Sequence, residues 1–202
     1  MRLISVLSNS LKCNSYILAN KKNEAVVIDC GDESLIYELK YRNLLCKYVL
    51  LTHGHFDHTG GAARLSEEGA KIFCGENEKD FIFSKENLGI FKGMEIPFFK
   101  IDKTFSDGVE TELCGIKIKV LSTPGHTCGS VCYVVENMIF TGDTLFKLGV
   151  GRTDLPTGSE KKLKESLKKL FALSDNYELY CGHGCPTKLE NERKYNPYAR
   201  II

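Results

Sequence analysis

The chain has 202 residues, 43% of them hydrophobic and 26% charged, enough to bury a substantial core in one large domain or two small ones. Its 27 Lys and Arg nearly balance 26 Asp and Glu, and a formal net charge of +1 excludes a globally basic nucleic-acid binder. No apolar run approaches the ~18–20 residues of a membrane span, and Met1-Arg2-Leu3-Ile4-Ser5 is too short in its apolar stretch for a secretory leader. The expectation is a soluble cytoplasmic protein with no membrane and no nucleic-acid partner.

Residues 15–19 and 25–29 are short β-rich runs separated by the turn-prone Asn20-Lys21-Lys22-Asn23. Cys30-Gly31-Asp32 breaks the second run, and Leu35, Ile36, Leu39 and Leu44 then predict a helix over 34–44. Residues 48–52 read as a buried strand ending at His53. A short helix begins at Thr59 and stops at Gly69, and 71–74 form a further strand. Between Glu76 and Lys103, aromatic residues interrupted by Gly89, Gly93 and Pro97 predict a helix followed by an irregular loop.

From Phe105 the pattern becomes a β-meander. Ile116, Ile118 and Val120 alternate with Lys117 and Lys119 in a half-buried strand, and 131–135 and 138–140 are two strands joined across Glu136-Asn137. Thr157-x-x-Glu160 matches a capping box and opens a helix whose Leu163, Leu167, Leu170 and Phe171 share one face. Its lysine-rich opposite face reads as solvated. Residues 178–180 are the last strand. With no linker and no internal repeat, the whole of 1–202 is expected to be a single domain.

The nine cysteines are odd in number, show no C-x-x-C spacing and lie in a chain that is not short. They read as reduced, partly buried thiols, not as a disulfide framework.

The five histidines are more informative. Three fall in His53-Gly54-His55-Phe56-Asp57-His58, one in Thr123-Pro124-Gly125-His126-Thr127 and one in Cys181-Gly182-His183-Gly184-Cys185. A lone histidine is usually a satisfied structural residue. Here each lies beside glycine or another ligand-type residue, directly after a predicted strand, and Asp143 follows 138–140 in the same way. Strand ends at one sheet edge bring distant loops together on a rigid frame. Side chains two apart in an extended loop point the same way, so His53 and His55 can grip one cation. Asp57 and His58, after the chain turns, would face a second; His126 completes the first set and His183 the second, with Asp143 the natural bridge. Nitrogen and carboxylate oxygen suit zinc, iron, manganese or cobalt, with positions left open for catalysis.

The run from Thr52 to Gly61, followed by His126, Asp143 and His183, resembles the motif set of the metallo-β-lactamase superfamily, closest to its glyoxalase II-like branch. Thr141-Gly142-Asp143-Thr144-Leu145-Phe146, Gly151-Arg152-Thr153-Asp154 and Asn196-Pro197 extend the likeness across residues 52–197. The resemblance implies an α+β fold, a four-layer αββα sandwich with metals at its edge. It implies that His53, His55 and His126 hold one metal and Asp57, His58 and His183 the other, with Asp143 and a hydroxide between. Two divalent ions are expected, zinc first, with iron or manganese as alternatives.

The activity so implied is hydrolysis of a small-molecule thioester of the S-acylglutathione type, with Asp57 handling the proton. Asp143 stands where the superfamily's true β-lactamases place a cysteine, which counts against β-lactam hydrolysis. Arg152 and Asp154 are expected to orient the loop around Asp143, and Lys147, Tyr195 and Arg200 are candidate substrate contacts. Standard glyoxalase II carries a C-terminal helical extension for glutathione, whereas this chain stops at Ile202, so the thiol carrier is open. The alternatives are a mononuclear-iron persulfide dioxygenase, a lactonase or phosphodiesterase on the same scaffold, and an inactive metal-binding module.

Overall fold

A computed structural model describes residues 1–88, 93 and 97–200. Six strands, β1 (Arg2–Leu7), β2 (Asn14–Ala19), β3 (Glu24–Ile28), β4 (Leu45–Leu50), β5 (Lys71–Gly75) and β6 (Ile101–Phe105), form one sheet in that order. The first three are antiparallel, and β3 to β6 run parallel. Side-chain alternation decides what covers this sheet. Ile17 and Ala19 of β2 and Ala25 and Val27 of β3 pack outward on α1 (Ser34–Tyr41) and α3 (Ala62–Glu67). Tyr16, Leu18, Val26 and Ile28 point the other way, into a second buried layer.

That layer is closed by a second sheet. The meander β7 (Glu110–Leu113), β8 (Ile116–Ser122), β9 (Val131–Val135) and β10 (Met138–Gly142) is antiparallel. A small hairpin of β11 (Leu145–Phe146) and β12 (Gly149–Val150) leaves its end. After α5 (Glu160–Phe171), β13 (Glu178–Cys181) returns parallel to β10, and β14 (Thr187–Lys188) edges the sheet. Ile116, Ile118 and Val120 face the first sheet, while Leu163, Leu167 and Leu170 of α5 cover Leu121, Ile139 and Leu179 behind. Burying one such side chain is worth about 1.5–3 kcal/mol, so a one-residue slip that put Lys117 and Lys119 inward is strongly disfavoured. The result is the expected αββα sandwich.

Several expectations are corrected at the level of single elements. The strands β1 and β6 go unseen in the sequence because both are edge strands, with no residue of β1 fully buried and only Phe105 buried in β6. The helix expected over 34–44 ends at Tyr41, and Asn43 at φ 52° turns the chain so that Leu44 still reaches the core. The helix expected from Thr59 is two pieces, α2 (Phe56–Thr59) and α3, separated by Gly60-Gly61. A Cβ on Gly61 would stand 2.3 Å from Cys30 Sγ, so glycine permits this close approach to the end of β3.

In the middle segment a 3-10 turn at Glu76–Glu78 leads into α4 (Lys79–Ile82), with another turn at Lys85–Asn87. Gly89, Ile90 and Phe91 lie outside the described residues. The terminal α6 (Leu189–Tyr195) was not anticipated.

The capping box is also corrected. Thr157 sits in the left-handed region at φ 66°, and Ser159 is the N-cap, its hydroxyl accepting from Lys162 N–H. Thr157 Oγ1 instead accepts from Cys128 N–H at 3.2 Å, bracing the loop that follows His126. Replacing Ser159→Ala is expected to lower stability by about 1 kcal/mol in urea unfolding, the usual cost of a lost cap; Thr157→Gly, which relieves the left-handed strain, should cost the helix nothing comparable.

Candidate metal centre

The seven residues predicted from sequence converge at one edge of the two sheets. The chain leaves β4 into the loop of His53 and His55 and enters α2 at Phe56, where Asp57 and His58 lie in the first turn. His126 follows β8, Asp143 follows β10 and His183 follows β13. Parallel pairing of β10 with β13 sets the Asp143 and His183 loops side by side, and Gly182 N–H donates to Gly142 O at 2.8 Å. A Cβ on Gly182 would lie 2.2 Å from Asp143 Oδ1, so only glycine lets these loops meet.

Two groups of donor atoms result. His53 Nε2 and His126 Nε2 stand 3.1 and 2.9 Å from His55 Nδ1. On the other side Asp57 Oδ2 lies 3.2 Å from His183 Nε2 and 3.9 Å from His58 Nε2. Asp143 spans the two. Its Oδ2 is 3.5 Å from His126 Nε2 and 3.6 Å from His183 Nε2, and its Oδ1 is 3.4 Å from His58 Nε2.

Neighbouring acceptors set which nitrogen of each ring faces inward. His58 Nδ1–H donates to Asp29 Oδ2 at 2.8 Å, and His126 Nδ1–H donates to the carbonyl of Arg152 at 2.8 Å. Thr52 gives its backbone N–H and its hydroxyl proton to the two oxygens of Asp29, both at 2.7 Å. The same hydroxyl oxygen, 3.2 Å from His53 Nδ1, therefore accepts from that ring. In all three histidines the Nε2 lone pair is left for the centre, the orientation that metal-ligating imidazoles usually receive from outer partners.

The electrostatics follow from burial and crowding. Burial, then the neighbouring imidazoles, hold the pKa of His53 far below the ordinary imidazole value and bring that of His55 down to about 3, so both stay neutral. Burial works against charge on His58 too, but the carboxylates of Asp29, Asp143 and Asp57 outweigh it and raise its pKa. Burial opposes ionisation of Asp143 and Asp57, yet the surrounding histidines hold both carboxyls below the usual range.

His55 Nδ1 faces both His53 Nε2 and His126 Nε2 at about 3 Å, and one ring proton there can satisfy only one of the two; His55 Nε2 and Asp143 Oδ1 are buried without a hydrogen-bond partner. Divalent cations fit this donor set, which offers imidazole nitrogen and carboxylate oxygen around common points.

Several residues of the centre were not anticipated. Asp29, at φ 55°, ends an apolar strand just as Asp143 does, so the strand-end rule applied evenly would have found it and Thr52. Cys13 Sγ lies 3.5 and 3.6 Å from the two ring nitrogens of His58, and burial pushes its thiol up to about 12, so it packs as a neutral group. Glu78 carries no signal in its charged local sequence. It is wholly buried, accepts from Gly54 N–H at 2.6 Å and Thr127 Oγ1–H at 3.0 Å, and also bonds Gly129 N–H. One carboxyl thus ties the His55 loop to the His126 loop. Burial lifts its pKa to about 7, against the pull of those donors.

A cavity of about 660 Å³ opens over the centre, touched by His55, Asp57, His126, Asp143 and His183 and walled by apolar side chains. Arg152 reaches it, with its guanidinium held by Asp154 through two 2.7 Å bonds, while its carbonyl fixes His126. Lys147, Tyr195 and Arg200 are exposed and are not among the described residues lining it.

This chain belongs to the metallo-β-lactamase superfamily: the model of that family matches residues 9–183. Among its relatives, the hydroxyacylglutathione hydrolase GloC of Haemophilus influenzae is 35% identical, over 98% of this chain and 97% of that protein. The structure is similar to BLEG-1, described as a B3 metallo-β-lactamase, with a TM-score of 0.91, 30% identity and coverage of 98% and 99% of the two chains. It is also similar to TTHA1623 in a di-iron-bound form, with a TM-score of 0.86, 31% identity and coverage of 96% and 99%. Fold, family and relatives together define a metallo-hydrolase of the superfamily.

Replacing Glu78→Ala leaves the Gly54 and Gly129 N–H groups buried without an acceptor, an expected loss of about 2–6 kcal/mol at roughly 1–3 per group. Calorimetric metal titration should show weakened binding, with Glu78→Gln intermediate because its amide oxygen still serves Gly54. Since its pKa is higher folded than unfolded, Glu78 binds an extra proton on folding between about pH 4.5 and 7. Its contribution to stability therefore falls as pH rises through that window, and the metal-free Glu78→Gln variant should show a shallower fall.

Proposed function

We propose that this protein is a binuclear metallo-hydrolase of small-molecule thioesters of the S-acylglutathione type. The observation that carries the reading is the position of Asp143 between a His53–His55–His126 set and an Asp57–His58–His183 set. The identity to a hydroxyacylglutathione hydrolase supports the thioester. We assign the seven residues as ligands of two divalent ions. Zinc is the leading choice; the di-iron form of a structural relative supports iron as the second, with manganese next.

When bound, the metals supply a hydroxide nucleophile at neutral pH and Lewis acidity toward the carbonyl oxygen. The protein's part is to orient and to move protons. Asp29, Thr52 and the Arg152 carbonyl hold His58, His53 and His126 with Nε2 inward, so no reorganisation is needed during reaction. The water oxygen adds to the carbonyl carbon, and the carbon–sulfur bond breaks with its electron pair leaving on sulfur. Asp57, kept ionised by His58 and His183 despite its burial, takes the remaining proton and passes it to the departing thiolate.

Two donor sets suit two ions, whereas the alternative, a mononuclear-iron persulfide dioxygenase, would use only one of them, so metal content separates the two readings. The nine free cysteines support a reducing cytoplasmic setting, and no described helix is long and apolar enough to cross a membrane. We also propose that residues 1–202 act as one domain without a nucleic-acid partner.

Protein purified without added metal should carry about two divalent ions per chain. On a panel of S-lactoylglutathione, a lactone, a phosphodiester, a β-lactam and glutathione persulfide, the thioester should be cleaved fastest. One iron per chain with oxygen uptake on the persulfide would overturn the reading. Asp143→Ala should lose paired loading and drop hydrolysis by more than about 100-fold, the upper range for merely supporting groups; near-normal values of both would remove Asp143 from the bridging role.

A further inference from the structure

The polar ligands form the floor of a cavity whose rim is apolar. Leu11 reaches it from the turn between β1 and β2, Phe146 and Val150 from the β11–β12 hairpin, and Leu155 from the loop beyond. None of the four is fully buried, and Leu11 is 53% exposed. Leu11 also holds φ 46°, a left-handed conformation that a leucine adopts at a cost, and it keeps its side chain at the cavity mouth. Half-exposed apolar groups clustered around a chemical site are what an apolar ligand covers.

The charges point the same way. Arg152 is the one Lys or Arg among the described residues lining the cavity, and Asp154 already takes its Nε and Nη2. A glutathione carrier brings two carboxylates and an ammonium, and among the described residues of the rim no Lys or Arg other than the Asp154-paired Arg152 stands ready to receive the carboxylates. Desolvating unpaired charge there is unfavourable, whereas each methylene laid on the rim is favourable.

Resting on the thioester-hydrolase reading, we infer that this cavity recognises its substrate by an apolar acyl chain lying on Leu11, Phe146, Val150 and Leu155, with the thiol carrier left largely unread. The reaction is thioester plus water to carboxylate, thiol and a proton, so the acyl chain is retained in the carboxylate product and can be tested without turnover.

Two measurements on the metal-loaded protein test this. Calorimetric binding of acetate, butanoate and hexanoate should tighten by about threefold per methylene. The kcat/KM for acetyl, butanoyl and hexanoyl thioesters should rise by a similar factor, and matched glutathione and N-acetylcysteamine thioesters should agree within about threefold. Leu155→Asp and Leu11→Asp should each weaken hexanoate by about tenfold while metal content and unfolding midpoint hold.

A flat chain-length series, a slope retained in both variants, or a tenfold preference for the glutathione member of each pair would overturn the inference while leaving the hydrolase reading intact. Carboxylate binding that follows chain length, with no thioester cleaved, would support the acyl site and sink the hydrolase reading.

Discussion

Packing five imidazoles and the carboxyls of Asp29, Asp57 and Asp143 into one largely buried sheet edge is the constraint on which this structure turns. Low local polarity makes every unmatched charge or lone pair expensive there, so each group needs a fixed partner or a cation. Asp29 answers much of that demand. Its two oxygens receive the Thr52 backbone N–H, the Thr52 hydroxyl and His58 Nδ1–H, and through that hydroxyl it also governs His53. What is left without a protein partner is His55 Nε2, on the side of its ring away from His53 and His126, and Asp143 Oδ1, which lies at the centre.

The sandwich makes this arrangement rigid by joining the sheets at the same edge. Val131 N–H donates to Thr52 O, and Tyr133 hydroxyl donates to Leu51 O, so the second sheet grips the chain just before His53. Asn14 N–H reaches Gly182 O, and Tyr16 hydroxyl reaches Cys181 O, so the first sheet grips the chain just before His183. Glu78 adds the third tie, between the His55 and His126 loops. Each tie is buried, and a hydrogen bond there fixes position more than it adds net stability.

The seven candidate ligands were legible because strand-end histidines flanked by glycine are hard to explain by packing. Asp29 and Thr52 obey the same strand-end logic but look like the ordinary close of an apolar run. Glu78 was illegible for a different reason: Glu76-Asn77-Glu78-Lys79 has the composition of a solvated turn, and only tertiary folding buries its third residue. Cys13 is buried by an isolated bridge to His183, 170 positions away, which no local pattern encodes. The strands β2 and β3, covered on both faces, were easy to place, whereas β1 and β6 are edges whose side chains answer to no single face.

Chemistry and recognition are divided between different parts of the fold. The candidate ligands sit at strand ends and in the first turn of α2, where packing holds them, while the apolar rim is carried by the β1–β2 turn, the two-residue strands β11 and β12, and the loop after them. The rim meets the floor at two described points: the Arg152 carbonyl that orients His126 belongs to the loop that carries Leu155, and the Phe146 ring stands edge-on to the His183 imidazole at 6.3 Å. Side chains along this rim can therefore change what is bound with little effect on the donor geometry beneath, provided the backbone at Arg152 stays in place.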